Sequence, residues 1–266
     1  MPNAIPIETA PFVRRERDPR GVLKLTLDRP QSFNALSAGM LAALQSELDA
    51  AATDDTVRAV VIGAEGKAFC AGHDLKEMRA EPSQAYYEAL FAQCARMMLT
   101  IQRLPVPVIA RVQGIATAAG CQLVAACDLA VAATTARFAV SGVNLGLFCS
   151  APSVPLSRNL ARKAAFEMLV TGEFISAEEA KAKGLVNRVA APESLDAEVE
   201  ALVTAIVAKP RVAIAMGKQL FYRQLETGIE VAYRDAGHTM ACNMMDQAAL
   251  EGVQAFIDKR KPAWSN

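Results

Sequence analysis

Short segments of alternating apolar and polar residues recur along the first part of the chain and predict β-strands. In residues 21–27 (GVLKLTL), three leucines fall on one face, while Val22, Lys24 and Thr26 fall on the other. An alternation with a period of two is typical of a strand that is buried on one side. Further short apolar or β-branched runs predict strands at 57–62, 106–112, 128–132 and 185–189.

Segments with a helical period lie between these strands. Ser37 is a typical N-cap residue, and apolar residues follow it at helical spacing, at Met40, Leu41, Leu44 and Leu48. Ser176 and Glu179 have the spacing of a capping box, in which each side chain binds the other residue's backbone amide. Helices are also predicted at 82–103 and in the alanine-rich segment that follows Gly114.

The pattern changes near residue 195. Before it, strands and helices alternate, and after it the pattern is helical without a further convincing strand. Alternation of this kind favours an α/β fold with parallel strands. The sequence therefore predicts an α/β core over residues 1–195 and a C-terminal α-helical region over residues 196–266.

The composition narrows the class of protein. The 28 basic residues equal the 28 acidic ones, so a nucleic-acid or membrane-surface partner is not expected. An apolar fraction of 52% predicts a large buried core. No apolar run reaches the roughly 18 residues of a membrane span, and residues 1–12 lack the pattern of a signal peptide. We therefore expect a soluble, cytoplasmic protein.

The cysteines and histidines do not suggest a metal site. The six cysteines form no C-x-x-C pair, and His73 and His238 are the only histidines. In a chain without an export signal, we expect all six thiols to be reduced and buried.

The sequence motifs of three large enzyme classes are absent from this chain. The turn between the first strand and helix, DRPQSFNALS (28–37), contains no glycine, whereas a dinucleotide-binding domain needs G-x-G-x-x-G there. The phosphate loop G-x-x-x-x-G-K-[ST] and the nucleophile elbow G-x-S-x-G are also absent.

Several segments together resemble the crotonase superfamily, which includes enoyl-CoA hydratases and isomerases. They are DRPQSFNALS (28–37), GKAFCAGHDLKEM (66–78), PVIARVQGIATAAGCQLVAACDLAVAA (107–133), LVTGEFISAEEAKAKGLVNRV (169–189) and FIDKRKPAW (256–264). The resemblance implies a ββα spiral core, a C-terminal trimerisation region, and a homotrimer or homohexamer. It also implies an acyl-CoA thioester as substrate, with coenzyme A as part of that substrate and no other cofactor.

In this family, two backbone amides bind the thioester oxygen and stabilise an enolate, a contribution of about 3–4 kcal/mol per donor. By resemblance, the donors are the amides of His73 and Ala119. Alanines at 118 and 119 replace the family's usual glycines, but a backbone donor does not require glycine. The resemblance places the thioester and pantetheine along Ala71, His73, Asp74, Leu75 and Lys76. Candidates for the coenzyme A phosphates are Arg29, Lys259 and Lys261, with a solvated charge as the alternative for each.

Both acid–base positions of the family's hydratases are substituted. Hydratases use two glutamates, one toward water and one toward the α-carbon, in the segments G-G-G-C-E and F-G-x-P-E. Here the segments read AAGCQ and FAVSG, which places Gln122 and Gly142 at those positions. Gln122 cannot take a proton from water and Gly142 has no side chain, so we predict a poor hydratase.

Two other side chains remain candidates for chemistry. AGHDL around His73 and NLG at 144–146 resemble the decarboxylase branch of the family, whose polar tyrosine falls on Cys149. GVNLGLFCSAP (142–152) looks closer to the hydratase-domain-containing members. The alternatives are a His73 that contributes only its backbone amide and a buried, unreactive Cys149.

Two hypotheses therefore stand. One is an acyl-CoA enzyme that catalyses isomerisation, decarboxylation or residual hydration. The other is a catalytically weak acyl-CoA-binding protein. In both, Asp128 is expected to be structural and Glu77 to be a solvated carboxylate.

Overall fold

A computed structural model describes residues 11–80 and 82–264. The strands are β1 (Val13–Arg17), β2 (Val22–Leu27), β3 (Ala59–Ala64), β4 (Ala68–Cys70), β5 (Val108–Val112), β6 (Ile115–Thr117), β7 (Leu129–Ala133), β8 (Arg137–Ala139), β9 (Ile175–Ser176) and β10 (Arg188–Ala190). The helices are α1 (Ala38–Thr53), α2 (Leu75–Ala80), α3 (Gln84–Arg103), α4 (Ala119–Ala126), α5 (Ser150–Asn159), α6 (Arg162–Thr171), α7 (Ala177–Lys183), α8 (Leu195–Val207), α9 (Arg211–Leu225), α10 (Ile229–Met244) and α11 (Gln247–Ile257).

The strands form two sheets. The larger sheet has the order β1-β2-β3-β5-β7-β10 and is parallel except for the β1–β2 pair. The smaller sheet has the order β4-β6-β8-β9, and its first three strands are parallel. The strand pairs β3–β4, β5–β6 and β7–β8 each place one strand in each sheet and lead into a helix. This repeat is a ββα spiral, so the predicted fold is confirmed.

The main core lies between the sheets and the helices of the first part of the chain. It includes Leu25 of β2, Leu44 of α1, Met97 of α3 and Phe138 of β8. A second, smaller core lies where α8 packs on β3, β5 and β7 through Val199 and neighbouring residues. Because α8 packs on the sheet, it shares the core of the first part of the chain. The predicted boundary at residue 195 stays a prediction.

A buried ion pair joins α9 to the core. Lys218 of α9 donates to Asp128 at 2.5 Å and to the carbonyls of Ile101 and Val106, each at 2.9 Å. Asp128 also accepts from the Tyr222 hydroxyl at 2.7 Å. Burial raises the pKa of Asp128 and lowers the pKa of Lys218, so each group depends on the other to remain charged. Asp128 therefore has a structural role.

The cysteine prediction is correct for five thiols and wrong for one. All six cysteines are free, and five are buried, but Cys242 on α10 is exposed. Its Sγ lies 3.6 Å from Nε2 of His238, one helical turn earlier. The sequence pattern did not separate this thiol from the others because α10 carries apolar residues on its exposed side as well, such as Tyr233 and Met240.

Candidate active site

The two turns predicted to carry the oxyanion donors lie against each other. One follows β4 and contains Gly72 and His73, and the other follows β6 and contains Ala118 and Ala119. A Cβ placed on Gly72 would lie 3.3 Å from the backbone nitrogen of Ala119 and 2.9 Å from Cβ of Ala118. Gly72 also has a φ of +96°, so both its conformation and this close approach require glycine.

The turn before α4 is strained. Ala118 has a φ of 50° and a ψ of −121°, a region that glycine adopts readily and alanine rarely. The Ala118 amide donates to the Ala139 carbonyl at 3.0 Å, which holds the turn in this conformation. The Ala119 nitrogen, at the start of α4 and at the positive end of the helix dipole, follows this strained turn and lies beside Gly72.

The imidazole of His73 is held by the backbone. Its Nδ1 lies 3.2 Å from the Leu36 carbonyl, and its ring packs edge-on against Phe91 with a centroid distance of 5.5 Å. Since a carbonyl only accepts, Nδ1 carries the proton and Nε2 of the neutral ring is left unprotonated. Burial lowers the pKa of His73 below its ordinary value, which favours this neutral form.

Gln122 lies in the first part of α4 and is 4% exposed. Its Oε1 is buried and has no hydrogen-bond partner among the residues that the structure describes. Position 122 follows Ala119 by three residues, so both share one face of the helix. Because helical side chains lean toward the helix N-terminus, we expect the Gln122 amide to lie on the same side of α4 as the Ala119 turn.

The backbone closely surrounds Gly142, the position at which the resemblance predicts that a glutamate has been lost. A Cβ on Gly142 would lie 2.4 Å from the Leu147 carbonyl oxygen and 2.8 Å from Sγ of Cys149. The Leu147 amide donates to the Gly142 carbonyl at 3.0 Å, and the Gly142 amide donates to Sγ of Cys149 at 3.3 Å. Residues 142–149 thus form a closed loop rather than an empty space for a carboxylate.

Cys149 is a buried thiol in this loop. It is 6% exposed, and burial raises its pKa, so it is in the protonated thiol form. In the structure, its Sγ accepts a hydrogen bond from the Gly142 amide. The arrangement favours the unreactive alternative considered from the sequence.

Several residues of this region carried no sequence signal. The hydroxyls of Thr117 and Ser141 lie 2.8 Å apart, beside the Ala118 turn and Gly142. Leu145, Leu147 and Phe148 expose large apolar side chains on the adjoining loop. These residues lie near the candidate site because β6 pairs with β8, which brings residues 117 and 139 opposite each other.

Arg29 does not fit the role considered for it. It is 5% exposed, and its guanidinium donates to the carbonyls of Pro11 and Asp28 at 3.0 and 2.6 Å. Its guanidinium carbon also lies 4.2 Å from the centre of the Phe12 ring. A buried guanidinium engaged in this way is neither a solvated charge nor directed at a phosphate.

The segment around His73 is partly exposed. Ala71 donates to the Phe33 carbonyl at 3.0 Å, and Leu75 and Lys76 are exposed on α2. Asp74 accepts from the amides of residues 76 and 77 and so caps α2. Glu77 was expected to be solvated, but it accepts from the Ala38 amide at 3.0 Å, at the start of α1, because α2 packs beside that helix end.

Lys259 and Lys261 follow α11 at the surface, and both are exposed. Their assignment to coenzyme A phosphates remains a prediction.

A cleft of about 400 Å³ lies on the other side of the large sheet, between the sheet and α8. Lys24, Arg111, Asp196 and Glu200 line it, and Arg111 forms an ion pair with Asp196 across it. The described part of the chain contains no group of three or more potential metal ligands. No helix among the described residues has the length and apolarity needed to cross a membrane.

Comparison with known proteins identifies the family. The family model "Enoyl-CoA hydratase/isomerase" matches residues 17–266, and the chain therefore belongs to this family. This agrees with the crotonase resemblance noted in the sequence.

Individual relatives are similar over nearly their whole length. The chain is 46% identical, over 92% of its length and 84% of the relative, to enoyl-CoA hydratase domain-containing protein 3, mitochondrial, of Xenopus laevis. A crystal structure of an enoyl-CoA hydratase from Mycobacterium smegmatis has a TM-score of 0.95 at 70% identity, covering 96% of this chain and 99% of that one. The crystal structure of the human domain-containing protein 3 has a TM-score of 0.92 at 42% identity, covering 95% and 100%.

One prediction is corrected by these relatives. The proteins from Xenopus laevis, Mus musculus and Homo sapiens are named mitochondrial, which contradicts the predicted cytoplasmic location, and that prediction is wrong. It depended on the lack of a secretory signal in residues 1–12, most of which lie outside the described residues. Such a test does not distinguish the cytoplasm from an organelle.

Proposed function

We propose that this protein binds acyl-CoA thioesters, holds the thioester oxygen between the backbone amides of His73 and Ala119, and hydrates enoyl-CoA poorly. The observation that carries the proposal is the loop at Gly142, whose backbone leaves no room for a Cβ where the resemblance places a catalytic glutamate. The binding turns are kept, and the acid–base pair is not. Coenzyme A enters as part of the substrate.

Chemical reasoning supports this division. Two amides can stabilise an enolate oxygen without any side chain. Hydration additionally needs a base for water and an acid for the α-carbon, each of which typically contributes about 10²–10⁴-fold. With Gln122 and Gly142 at those positions, the chain has the amides for enolate stabilisation but lacks the base and the acid for hydration.

Binding is tested by calorimetric titration with butyryl-CoA and with coenzyme A itself. The difference between the two affinities reports the thioester contacts. In Gly72→Ala, the new methyl group would lie against Ala118 and close to the Ala119 nitrogen. We expect this variant to lose about tenfold in butyryl-CoA affinity, in keeping with about 1.4 kcal/mol per factor of ten, and little in coenzyme A affinity.

Gly66→Ala is the matched control. Gly66 also has a positive φ, of +79°, and a Cβ there would lie 2.7 Å from Cβ of Pro30, away from the two turns. It should lose stability without losing the preference for the thioester. Equal binding of butyryl-CoA and coenzyme A by the unaltered protein would contradict the proposal.

A second candidate function is proton transfer at the α-carbon by His73. The hydrogen bond from Nδ1 to the Leu36 carbonyl supports it, because Nε2 is then the basic nitrogen of the neutral ring. A group of this kind would serve isomerisation, whereas decarboxylation forms the enolate without any base.

Exchange of the α-protons of butyryl-CoA in D2O, followed by NMR, tests this candidate. His73→Gln keeps the backbone amide and removes the basic nitrogen, so it should bind the thioester but abolish exchange. Exchange at an equal rate in this variant would exclude His73 as the base. No exchange by the unaltered protein, together with binding, would favour the acyl-CoA-binding protein.

We further propose that the chain forms a trimer or a hexamer through α9 to α11. The support is the exposed apolar side chains of this region, among them Phe221, Tyr233, Met245 and Phe256. Light scattering at micromolar concentration should give at least three times the mass of the chain, and a monomer would contradict the assembly.

A further inference from the structure

Two potential metal ligands lie next to each other on α10, outside the segments of the candidate active site. Cys242 is the one exposed thiol among the six cysteines, and His238 is also exposed. The two residues are four positions apart, so they share one face of the helix. Sγ of Cys242 lies 3.6 Å from Nε2 of His238. Neither residue belongs to a hydrophobic core.

The distance between these two atoms fits a shared metal ion. Zn²⁺ bonds to a cysteine sulfur at about 2.3 Å and to a histidine nitrogen at about 2.0–2.1 Å, usually in tetrahedral geometry. At the tetrahedral angle of about 109°, these bond lengths place the sulfur and the nitrogen about 3.6 Å apart. The helix therefore already holds the two atoms at the spacing that one ion requires.

The surroundings leave room for an ion and for its other ligands. The residues directly before the two ligands are Gly237 and Ala241, and a Cβ on Gly237 would meet no other atom within 4 Å. Cys242 lies in the last turn of α10, where the negative end of the helix dipole favours a cation. The residues that the structure describes contain no group of three or more potential ligands. Water would therefore occupy the remaining positions around the ion.

The assembly proposed above does not need this face of α10. Tyr233 and Met240 are among the exposed apolar side chains that support that assembly. At about 100° per residue, His238 lies about 140° around the helix from Tyr233, and Cys242 lies about 160° from Met240. The apolar side chains and the histidine–cysteine pair are thus on different faces of the helix.

We propose that His238 and Cys242 form a surface binding site for a thiophilic divalent cation such as Zn²⁺, with one ion per chain. The ligands are Nε2 of the imidazole and Sγ of the thiolate, and the thiol releases its proton to solvent when the ion binds. Thiolate and imidazole ligands select Zn²⁺ and Co²⁺ over Mg²⁺ and Ca²⁺, which prefer oxygen ligands. This site is separate from the proposed binding of thioesters and does not depend on it.

The reactivity of the exposed thiol in the full chain tests the site. The thiol reagent DTNB should react with one thiol per chain, because the other five are buried. A small excess of Zn²⁺ should slow this reaction by about tenfold or more, since a thiolate bound to the metal is no longer free to attack. EDTA should restore the rate, and a large excess of Mg²⁺ should not protect the thiol.

Titration with Co²⁺ reports the ligands and the stoichiometry. A thiolate bound to Co²⁺ absorbs in the near ultraviolet by charge transfer, and this band should saturate at one ion per chain. It should be absent in Cys242→Ser. His238→Gln keeps the thiol but removes the nitrogen, so it should lower the affinity for Zn²⁺ by about tenfold or more, because the thiolate alone must then hold the ion.

The matched control moves the thiol instead of removing it. Gly237→Cys combined with Cys242→Ser keeps one exposed cysteine on α10, in open space and directly before His238. Adjacent residues of a helix do not face each other, because they point about 100° apart. This variant should react with DTNB at one thiol per chain, and Zn²⁺ should not protect it.

Three results would overturn the site. One is a DTNB rate of the unaltered protein that Zn²⁺ leaves unchanged, and this measurement decides the question even if a variant does not fold. Another is equal protection in His238→Gln or in the variant with the moved thiol, which would show a single thiolate as an adventitious ligand. The third is saturation at one ion per two chains, because a second copy would then supply the ligands assigned here to water.

Discussion

Adding a side chain at Gly142 is expected to disturb the fold rather than to restore hydration. In Gly142→Ala, the new methyl group would lie 2.4 Å from the Leu147 carbonyl oxygen and 2.8 Å from Sγ of Cys149. The nearer atom belongs to the backbone, so the loop must move as a whole. Two hydrogen bonds of the loop, from Leu147 to Gly142 and from Gly142 to Cys149, would then be distorted.

The size of the effect follows from the overlap. Insertion of a methyl group into a closely packed site typically costs about 1–3 kcal/mol, and we expect the upper half of this range because a backbone atom is displaced. For a chain of this size, a loss of 2 kcal/mol lowers Tm by about 4–8 °C. Gly142→Glu should lower it at least as much.

Thermal unfolding followed by circular dichroism measures the change. Gly217→Ala is a suitable control, because Gly217 lies within α9 and a Cβ there meets no atom within 4 Å. That substitution should leave Tm unchanged or raise it, since alanine is favoured over glycine in a helix by about 1 kcal/mol. A Gly142→Ala protein as stable as the unaltered one would refute the closed loop.

Three other perturbations have expected outcomes. Ala118→Gly should raise the free energy of unfolding by about 1 kcal/mol, since relief of a strained φ of 50° exceeds the added entropy of the unfolded chain; a lower value in urea unfolding would contradict the strain. Lys218→Met should lower it by about 3–5 kcal/mol, because Asp128 is left as an unpaired buried charge, and Asp128→Asn in the same chain should recover part of that loss. Burial lowers the pKa of His73 in the folded protein, so as the pH falls the imidazole is protonated first in the unfolded chain. The free energy of unfolding should therefore decrease as the pH falls below about 6.5. His73→Gln should lack this part of the pH dependence.

Periodic patterns in the sequence were sufficient for the longer elements. The alternation at 22–27 and the N-cap at Ser37 appear in the structure as β2 and the start of α1, where Ser37 accepts from the Met40 amide. The capping box of Ser176 and Glu179 is also present. These features depend only on residues that are close together in the sequence, so they can be predicted from the sequence alone.

The small sheet could not be predicted in this way. β4, β6 and β8 have three residues each, too few to show an alternation. The strand predicted at 185–189 begins only at Arg188, because the Leu185 amide is bound to the Ala180 carbonyl at the end of α7.

The two turns of the candidate site could be predicted from the sequence, but the closed loop at residues 142–149 could not. Motifs placed His73 and Ala119, and the structure brings their turns together. The approach of Leu147 to Gly142 and the burial of Arg29 depend on how distant segments pack. Those contacts have no periodic signature in the sequence.

The most direct test of the account is the rate at which the purified protein hydrates crotonyl-CoA, followed by loss of the enoyl thioester absorbance at saturating substrate. The effects of two acid–base groups that act together are not additive. The loss of both should therefore lower the rate by several orders of magnitude rather than by the product of the two separate effects. We predict a hydration rate several orders of magnitude below that of an efficient hydratase, in a preparation that binds butyryl-CoA. Turnover at the rate of an efficient hydratase would contradict the account, because some other residue would then perform the proton transfers.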